Sequence, residues 1–303
     1  MGNQEQLLYL PSTHFSSTIL FRQIRCDYNA PVKKSLTRHG LPMKNKKQSI
    51  LQFWQLLQFR VQCRLKSEAS TSYLSYGWWV LEPLLHMGMF YLIFEVLLNR
   101  GTEDFVAYLL CGLIPWLWFN KSISNARSSI SSARGIMMQT RIPVILFPAE
   151  VVAQDSFKQL IVFSVLFVFL LLYGESLTIY WAAVIPVVIV QLLLTFALSL
   201  LVAAIIPFLP DVRFLVQTGL LMLMMGSGIF YSYEVILPEH RSLFFMNPMA
   251  NLIHNYRRVL MYQQWPDWQA LALIGLASLA LIAVLARLLR GGNATYARLI
   301  LES

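Results

Sequence analysis

Trp181-Ala-Ala-Val-Ile-Pro-Val-Val-Ile-Val-Gln-Leu-Leu-Leu-Thr-Phe-Ala-Leu-Ser-Leu-Leu-Val-Ala-Ala-Ile-Ile-Pro-Phe208 contains no charged side chain. The run is apolar on every side of a helix, so no face of it is suited to water. A helix needs about 20 residues, at about 1.5 Å each, to cross about 30 Å of hydrocarbon. This stretch exceeds that length, and its apolar residues are continuous rather than alternating, which favours a spanning helix over a barrel strand.

Five further stretches read the same way: Trp78–Leu98, Phe105–Phe119, Pro148–Tyr173, Phe214–Tyr231 and Trp268–Leu289. The second and fifth of the six are short and are expected to borrow flanking residues. The third carries Glu150, Asp155 and Lys158 in its first half, which places those turns in the interface. The chain is 57% hydrophobic and 13% charged, with a mean hydropathy of +0.56. Soluble domains carry about 25% charged residues, so the expected solvent is lipid. The net charge of +9 is therefore read against the membrane and not as a nucleic-acid footprint.

The basic residues are asymmetric. Eleven Lys/Arg precede the first span, Lys121, Arg127, Arg134 and Arg141 separate the second from the third, Arg213 separates the fourth from the fifth, and Arg287, Arg290 and Arg298 follow the sixth. The opposite side receives only Arg100, Arg241, Arg257 and Arg258. The positive-inside bias then puts both termini in the cytoplasm. Trp78, Trp79, Trp116, Trp118, Trp181, Trp265 and Trp268 fall near span ends, as an aromatic belt does.

Trp54 belongs to a different segment. Ile50, Phe53, Trp54, Leu57, Val61 and Leu65 recur at helical spacing, largely opposite Gln52, Gln55, Gln62 and Lys66. This predicts an amphipathic helix over 50–66 lying in the inner interface. Residues 1–49 are polar and interrupted by Pro11, Pro31, Gly40 and Pro42. They read either as a disordered arm or as sequence ahead of a start at Met43. No short apolar segment with a cleavage site occurs there, so an internal span is expected to drive insertion. The spans occupy 67–290, and 291–303 form a cytoplasmic tail.

Catalytic patterns are missing from the sequence. There is no phosphate-cradling G-x-x-x-x-G-K-[ST], no H-E-x-x-H and no G-x-S-x-G. Cys26, Cys63 and Cys111 form no metal or redox spacing, and no two of the five histidines are four apart. No metal site or cofactor is expected. An energy source outside this polypeptide fits a membrane subunit driven by a separate ATPase.

Three stretches resemble the permease subunits of polysaccharide-exporting ABC transporters, the group of O-antigen, capsule and teichoic-acid exporters with the type 2 ABC-exporter membrane fold. They are Leu74-Ser-Tyr-Gly-Trp-Trp-Val-Leu-Glu-Pro-Leu-Leu85, Leu109-Leu-Cys-Gly-Leu-Ile-Pro-Trp-Leu-Trp-Phe119 leading to Arg141-Ile-Pro-Val-Ile-Leu-Phe-Pro148, and Asn247-Pro-Met-Ala-Asn-Leu-Ile-His-Asn-Tyr-Arg-Arg-Val-Leu260. In order and spacing they cover about residues 45–290. The resemblance implies an all-α polytopic fold with an interfacial helix and six spans, in a bacterial inner membrane. It also implies a homodimer bound to two copies of a cytoplasmic ATPase, which holds the MgATP, and a lipid-linked polysaccharide passing through a channel at the dimer centre.

The same resemblance assigns roles. The basic, serine-rich loop with Lys121, Ile123, Arg127, Ile130, Arg134, Ile136, Met137 and Arg141 is expected to hold the coupling helix that docks on the ATPase, its isoleucines and methionines entering a groove. Arg60, Arg64 and Lys66 stand where an anionic headgroup would enter. Tyr91, Tyr108, Phe230, Tyr231 and Tyr233 are expected to line the path or its outer gate, since sugars stack on aromatic rings. Arg257 and Arg258 are expected to face water, lipid phosphates, Glu234 or Glu239. Other readings are a permease of similar fold for a drug or small lipid, a membrane-embedded glycan-modifying enzyme, and a membrane anchor without transport.

Overall fold

The computed structural model describes residues 46–71, 77–97, 104–139 and 142–291. The arm before residue 46, Arg141, the tail after residue 291 and the side chain of Tyr91 lie outside the described set. Two compact units are distinguished, Met1–Gln52 and Phe53–Ser303. Of the first, only the opening turns of a helix are described. Everything below concerns the second.

Among the described residues every regular element is helical. In chain order we label α1 (Lys46–Thr71), α2 (Gly77–Tyr91), α3 (Phe105–Ala126), α4 (Arg134–Gln139), α5 (Leu146–Tyr173), α6 (Val184–Ile205), α7 (Val212–Met225), α8 (Pro238–Phe245), α9 (Pro248–Leu260) and α10 (Trp268–Gly291). Four helical segments are long and apolar enough to cross a membrane: Phe105–Ala126, Leu146–Tyr173, Ile179–Ile205 and Trp268–Leu289. The third of these includes a 3-10 turn at Ile179–Ala183 ahead of α6. Of the other two stretches read as spans, α2 continues as a π-helix through Leu92–Leu97, and α7 is a shorter apolar helix of 14 residues.

The centre of the bundle is α3, which packs on α5, α6 and α9, while α10 lies along α6. Leu109, Leu113, Trp116 and Phe119 of α3 are fully buried with Leu166 and Leu170 of α5 and Tyr256 of α9. Pro115 sits inside α3. A proline there removes one helical hydrogen bond and disturbs its neighbours. Two buried side chains bond to carbonyls of the same turn: the amide Nε2 of Gln191 donates to the Pro115 carbonyl at 2.8 Å, and Gln159 Nε2 donates to that of Ile114 at 3.3 Å. Tyr256 Oη then donates to Gln191 Oε1 at 2.6 Å, so these three buried side chains of α5, α6 and α9 are hydrogen-bonded, as burial favours.

The expected end of the fifth span at Tyr231 is corrected. α7 stops at Met225, because Gly226-Ser227-Gly228 follow and Gly228 takes φ +67°. A Cβ there would also lie 2.8 Å from the Phe244 ring, so glycine is required on both counts. Beyond this break, α8 and α9 each begin on a proline, Pro238 and Pro248. Proline at the first helical position lacks only an N–H that has no intrahelical partner there. Asn247 caps α9 by accepting from Met249 N at 3.0 Å.

Candidate functional site

Three places in the bundle gather the polar residues: the end where α1 meets α5, the segment between α3 and α5, and the end where α7 breaks off.

At the first, α1 docks by a charged stripe. Leu57 and Arg60 are buried, whereas Trp54 is 56% exposed. Arg60 Nε donates to Glu150 Oε2 at 2.5 Å, and Arg64 Nη1 lies 3.6 Å from Glu150 Oε1. One and two turns further along α5, Gln154 Nε2 and Lys158 Nζ donate to Glu68 at 2.6 and 2.7 Å. Lys158 Nζ is also 3.8 Å from Asp155, which accepts from Asn125 of α3 at 3.0 Å. Lys121 of α3 pairs with Glu82 of α2 at 2.5 Å. These groups tie α1, α2, α3 and α5 together at one end.

This corrects two sequence expectations. The helix over 50–66 is longer, Lys46–Thr71, and it buries Arg60 as well as Leu57. Arg60 is buried against Glu150 and lies over the Phe147 ring at 5.3 Å, so it is not a free cation for a headgroup. Arg64 keeps a side-chain exposure of 44%, and Lys66 is exposed. The sequence places Glu150, Asp155 and Lys158 in interfacial turns without marking their partners. Their signal was spacing: Glu150, Gln154 and Lys158 recur every four residues, which puts them on one helix face.

At the second place, the loop residues divide. Ile123 and Ile130 are buried, at 3% and 1% exposure. Ile130 packs with Ala133, Phe147, Leu200, Leu285 and Leu289. The expectation that Ile130 enters a groove on another protein is therefore corrected: it is core of this chain. Lys121 is held by Glu82, Arg127 is half-buried, Arg134 is exposed, and Ile136 and Met137 are half-buried on or beside the short helix α4.

The third place is organised by Arg257 of α9, which is 5% exposed. Its Nη1 donates to Gly228 O at 2.7 Å and to Tyr108 Oη at 2.8 Å, its Nη2 to Ile229 O at 2.9 Å, and its Nε to Tyr108 O at 3.2 Å. The guanidinium carbon lies 3.4 Å from the Tyr108 ring centre. Tyr108 Oη in turn donates to Tyr231 O at 2.7 Å. No carboxylate takes part, which overturns the expectation that Arg257 faces water, lipid or an acid. The charge is met by carbonyl dipoles left over where α7 breaks. Asn247 Nδ2 adds a second stitch, to Gly226 O at 3.2 Å and Ser227 Oγ at 3.0 Å.

The other residues expected at this end are close by. Phe230 is half-buried against the core. Tyr231 Oη donates to Met225 O at 2.9 Å, and its ring faces Phe244 at 6.3 Å. Tyr233 meets His254 edge-on at 4.9 Å, with the Arg241 guanidinium 5.7 Å from its ring centre. Arg258 is half-buried, and its Nε finds no acceptor among the described residues. The cavity among Tyr108, Tyr231, Tyr233, Phe244 and Arg257 is only about 10 Å³, room for about one water. The side chains at this end of the bundle are closely packed. Burial and the nearby Arg258 and Arg257 push His254 down to about 4. No group of three or more potential metal ligands occurs among the described residues.

No protein-family model matches the chain. It is similar to the O-antigen export system permease protein RfbA of Myxococcus xanthus, with 30% identity over 237 residues, 77% of this chain and 90% of that protein. Two proteins of the same name from Klebsiella pneumoniae match at 28% and 26% identity, each over 198 residues, 65% of this chain and 76% of theirs.

Proposed function

Because the chain belongs to the family of O-antigen export system permeases, we propose that it carries O-antigen, or a similar polysaccharide on a lipid carrier, out of the cytoplasm across the bacterial inner membrane. The observation behind this reading is the 30% identity sustained over 90% of a relative named for that task. In this reading the chain is the membrane half of the exporter. Two copies pair around a central path, each spans the membrane six times with both ends in the cytoplasm, and two copies of an ATPase supply the MgATP chemistry. The concentration of Lys/Arg at the end holding α1, Lys121 and Arg134 supports that orientation.

Within that frame, the segment from Arg127 to Gln139 is the ATPase docking element. Arg127, Arg134, Ile136 and Met137 would make the contact, since Ile123 and Ile130 are occupied inside. Arg64 and Lys66 are the cations left at the inner interface for an anionic headgroup. The cluster around Arg257 and Tyr231 is the outer gate in its closed form. The test is deletion of the gene in its own host. Loss of surface polysaccharide, with lipid-linked polymer accumulating inside and export restored by the plasmid-borne gene, is expected. Undiminished surface polysaccharide in the deletion strain would overturn the assignment.

A further inference from the structure

Beyond the export path, a cavity of about 250 Å³ lies between α2, α3 and α5. Its wall includes Trp79, Glu82, Trp118, Lys121, Asp155 and Lys158. We propose that this cavity is a binding site for the headgroup of a zwitterionic phospholipid, one carrying a phosphate and a primary amine, that joins α2 to the bundle.

The charge balance selects the ligand. The wall holds two lysines and two carboxylates: Lys121 is paired with Glu82 at 2.5 Å, and Lys158, 3.8 Å from Asp155, is held at 2.6 Å by Glu68 beside the wall. A strongly anionic group such as a pyrophosphate would meet as much negative as positive charge and lose its hydration for no net attraction. A phosphate joined to an ammonium meets both signs in alternation, and each half adds a partner to an existing pair without breaking it. The Lys121–Glu82 pair is open to such a partner, with side-chain exposures of 41% and 32%.

The remaining wall suits an interfacial lipid. Tryptophan prefers the headgroup level because it joins an apolar body to a polar N–H. Trp79 is buried and carries Lys158 Nζ 5.4 Å from its ring centre. Trp118 is 4% exposed, and its indole N–H has no acceptor among the described residues, a donor of the kind a phosphate or ester oxygen satisfies. The position is also one that needs filling. α2 buries only Trp79 among its described side chains, while Trp78, Leu84, Leu85 and Met89 are exposed. A headgroup held between it and α3 and α5 supplies contacts the protein itself does not.

The test uses the full chain purified in detergent, stripped of lipid and offered dioleoyl phosphatidylethanolamine and dioleoyl phosphatidylglycerol at equal concentration, with bound lipid read by native mass spectrometry. The amine lipid should be retained over the glycerol lipid by about tenfold, the scale of one charge-assisted contact. Glu82→Gln should bring that ratio to about one or below, because the ammonium then loses the carboxylate it would meet beside Lys121. Arg213→Gln, exposed in the first turn of α7 and outside the cavity wall, should leave it unchanged. Equal retention of the two lipids by the unaltered chain overturns the proposal, as does a ratio insensitive to Glu82→Gln or equally sensitive to Arg213→Gln. Displacement of the bound amine lipid by undecaprenyl pyrophosphate at matching concentration would assign the cavity to the carrier and also overturn it.

Discussion

Arg257 and Gly112 share one volume of space. A Cβ on residue 112 would lie 2.7 Å from Arg257 Nη2 and 3.4 Å from its central carbon. The guanidinium therefore lies directly across the backbone of α3, and only a residue without a side chain can pass beneath it. From there it reaches the Gly228 and Ile229 carbonyls on the broken end of α7. One side chain of α9 thus fastens α3 to the point where the fifth apolar helix gives way to α8 and α9.

Replacing Arg257 by Gln should loosen this end. The Tyr108, Gly228 and Ile229 carbonyls lose their donor, at roughly 1–3 kcal/mol for each buried acceptor left without one. Arg257→Lys keeps the charge but not the fork, so it should fall between the two. Gly112→Ala should resemble the weaker of these, since the guanidinium must shift to admit a methyl group. Melting temperatures in detergent rank the variants, and an Arg257→Gln protein as stable as the unaltered one would contradict the fastening role.

The Arg60–Glu150 pair makes an opposite kind of prediction. Both side chains are largely buried, at 8% and 4% exposure. Glu150→Ala strands a buried guanidinium and should cost about 3–5 kcal/mol. Changing both together, Arg60→Leu with Glu150→Met, removes the desolvation cost with the attraction and should return most of that loss. Denaturation of the two variants side by side checks it; equal damage would mean that the pair contributes through its attraction alone.

Between α3 and α5 the isoleucines should separate by role. Ile130→Ser opens a hole among Phe147, Leu200 and Leu289 and should lower stability by about 2–5 kcal/mol. Ile136, half-buried beside the exposed Arg134, is one of the residues proposed above to contact the ATPase. Ile136→Ser should leave the melting temperature nearly unchanged and reduce recovery of the ATPase on co-purification. ATPase recovered in full with Ile136→Ser would move the docking element elsewhere, with the exposed side of α1 the next place to look.

His254 predicts a pH response. Its value in the fold, about 4, is below the usual 6.5, so the folded state favours the neutral ring. The stabilisation is complete above about pH 6.5, shrinks as the unfolded chain takes up its proton, and is gone once pH has fallen through about 4. Melting temperature followed from pH 7 to pH 4 should drop less in His254→Phe than in the unaltered protein. Parallel curves would show that the ring carries no such linkage.

What could be read from the sequence was whatever depends on one segment at a time. The apolar run around Trp181–Phe208 dictates a lipid solvent and a helix because transfer free energies add residue by residue along a stretch. Pro238 and Pro248 announce helix starts through their own geometry. The excess of Lys/Arg at one end is likewise local. Pairing is not local: Arg60 finds Glu150 90 positions away, and Arg257 finds Tyr108 149 positions away. Composition said only that Arg257 must be satisfied, and its acceptors turned out to be backbone carbonyls, which every residue carries and no sequence pattern marks. In the same way Ile130, apolar in a basic loop, could serve a partner or the core. Only the packing of Phe147, Leu200, Leu285 and Leu289 around it decided for the core, because burial is a property of the neighbours and not of the residue.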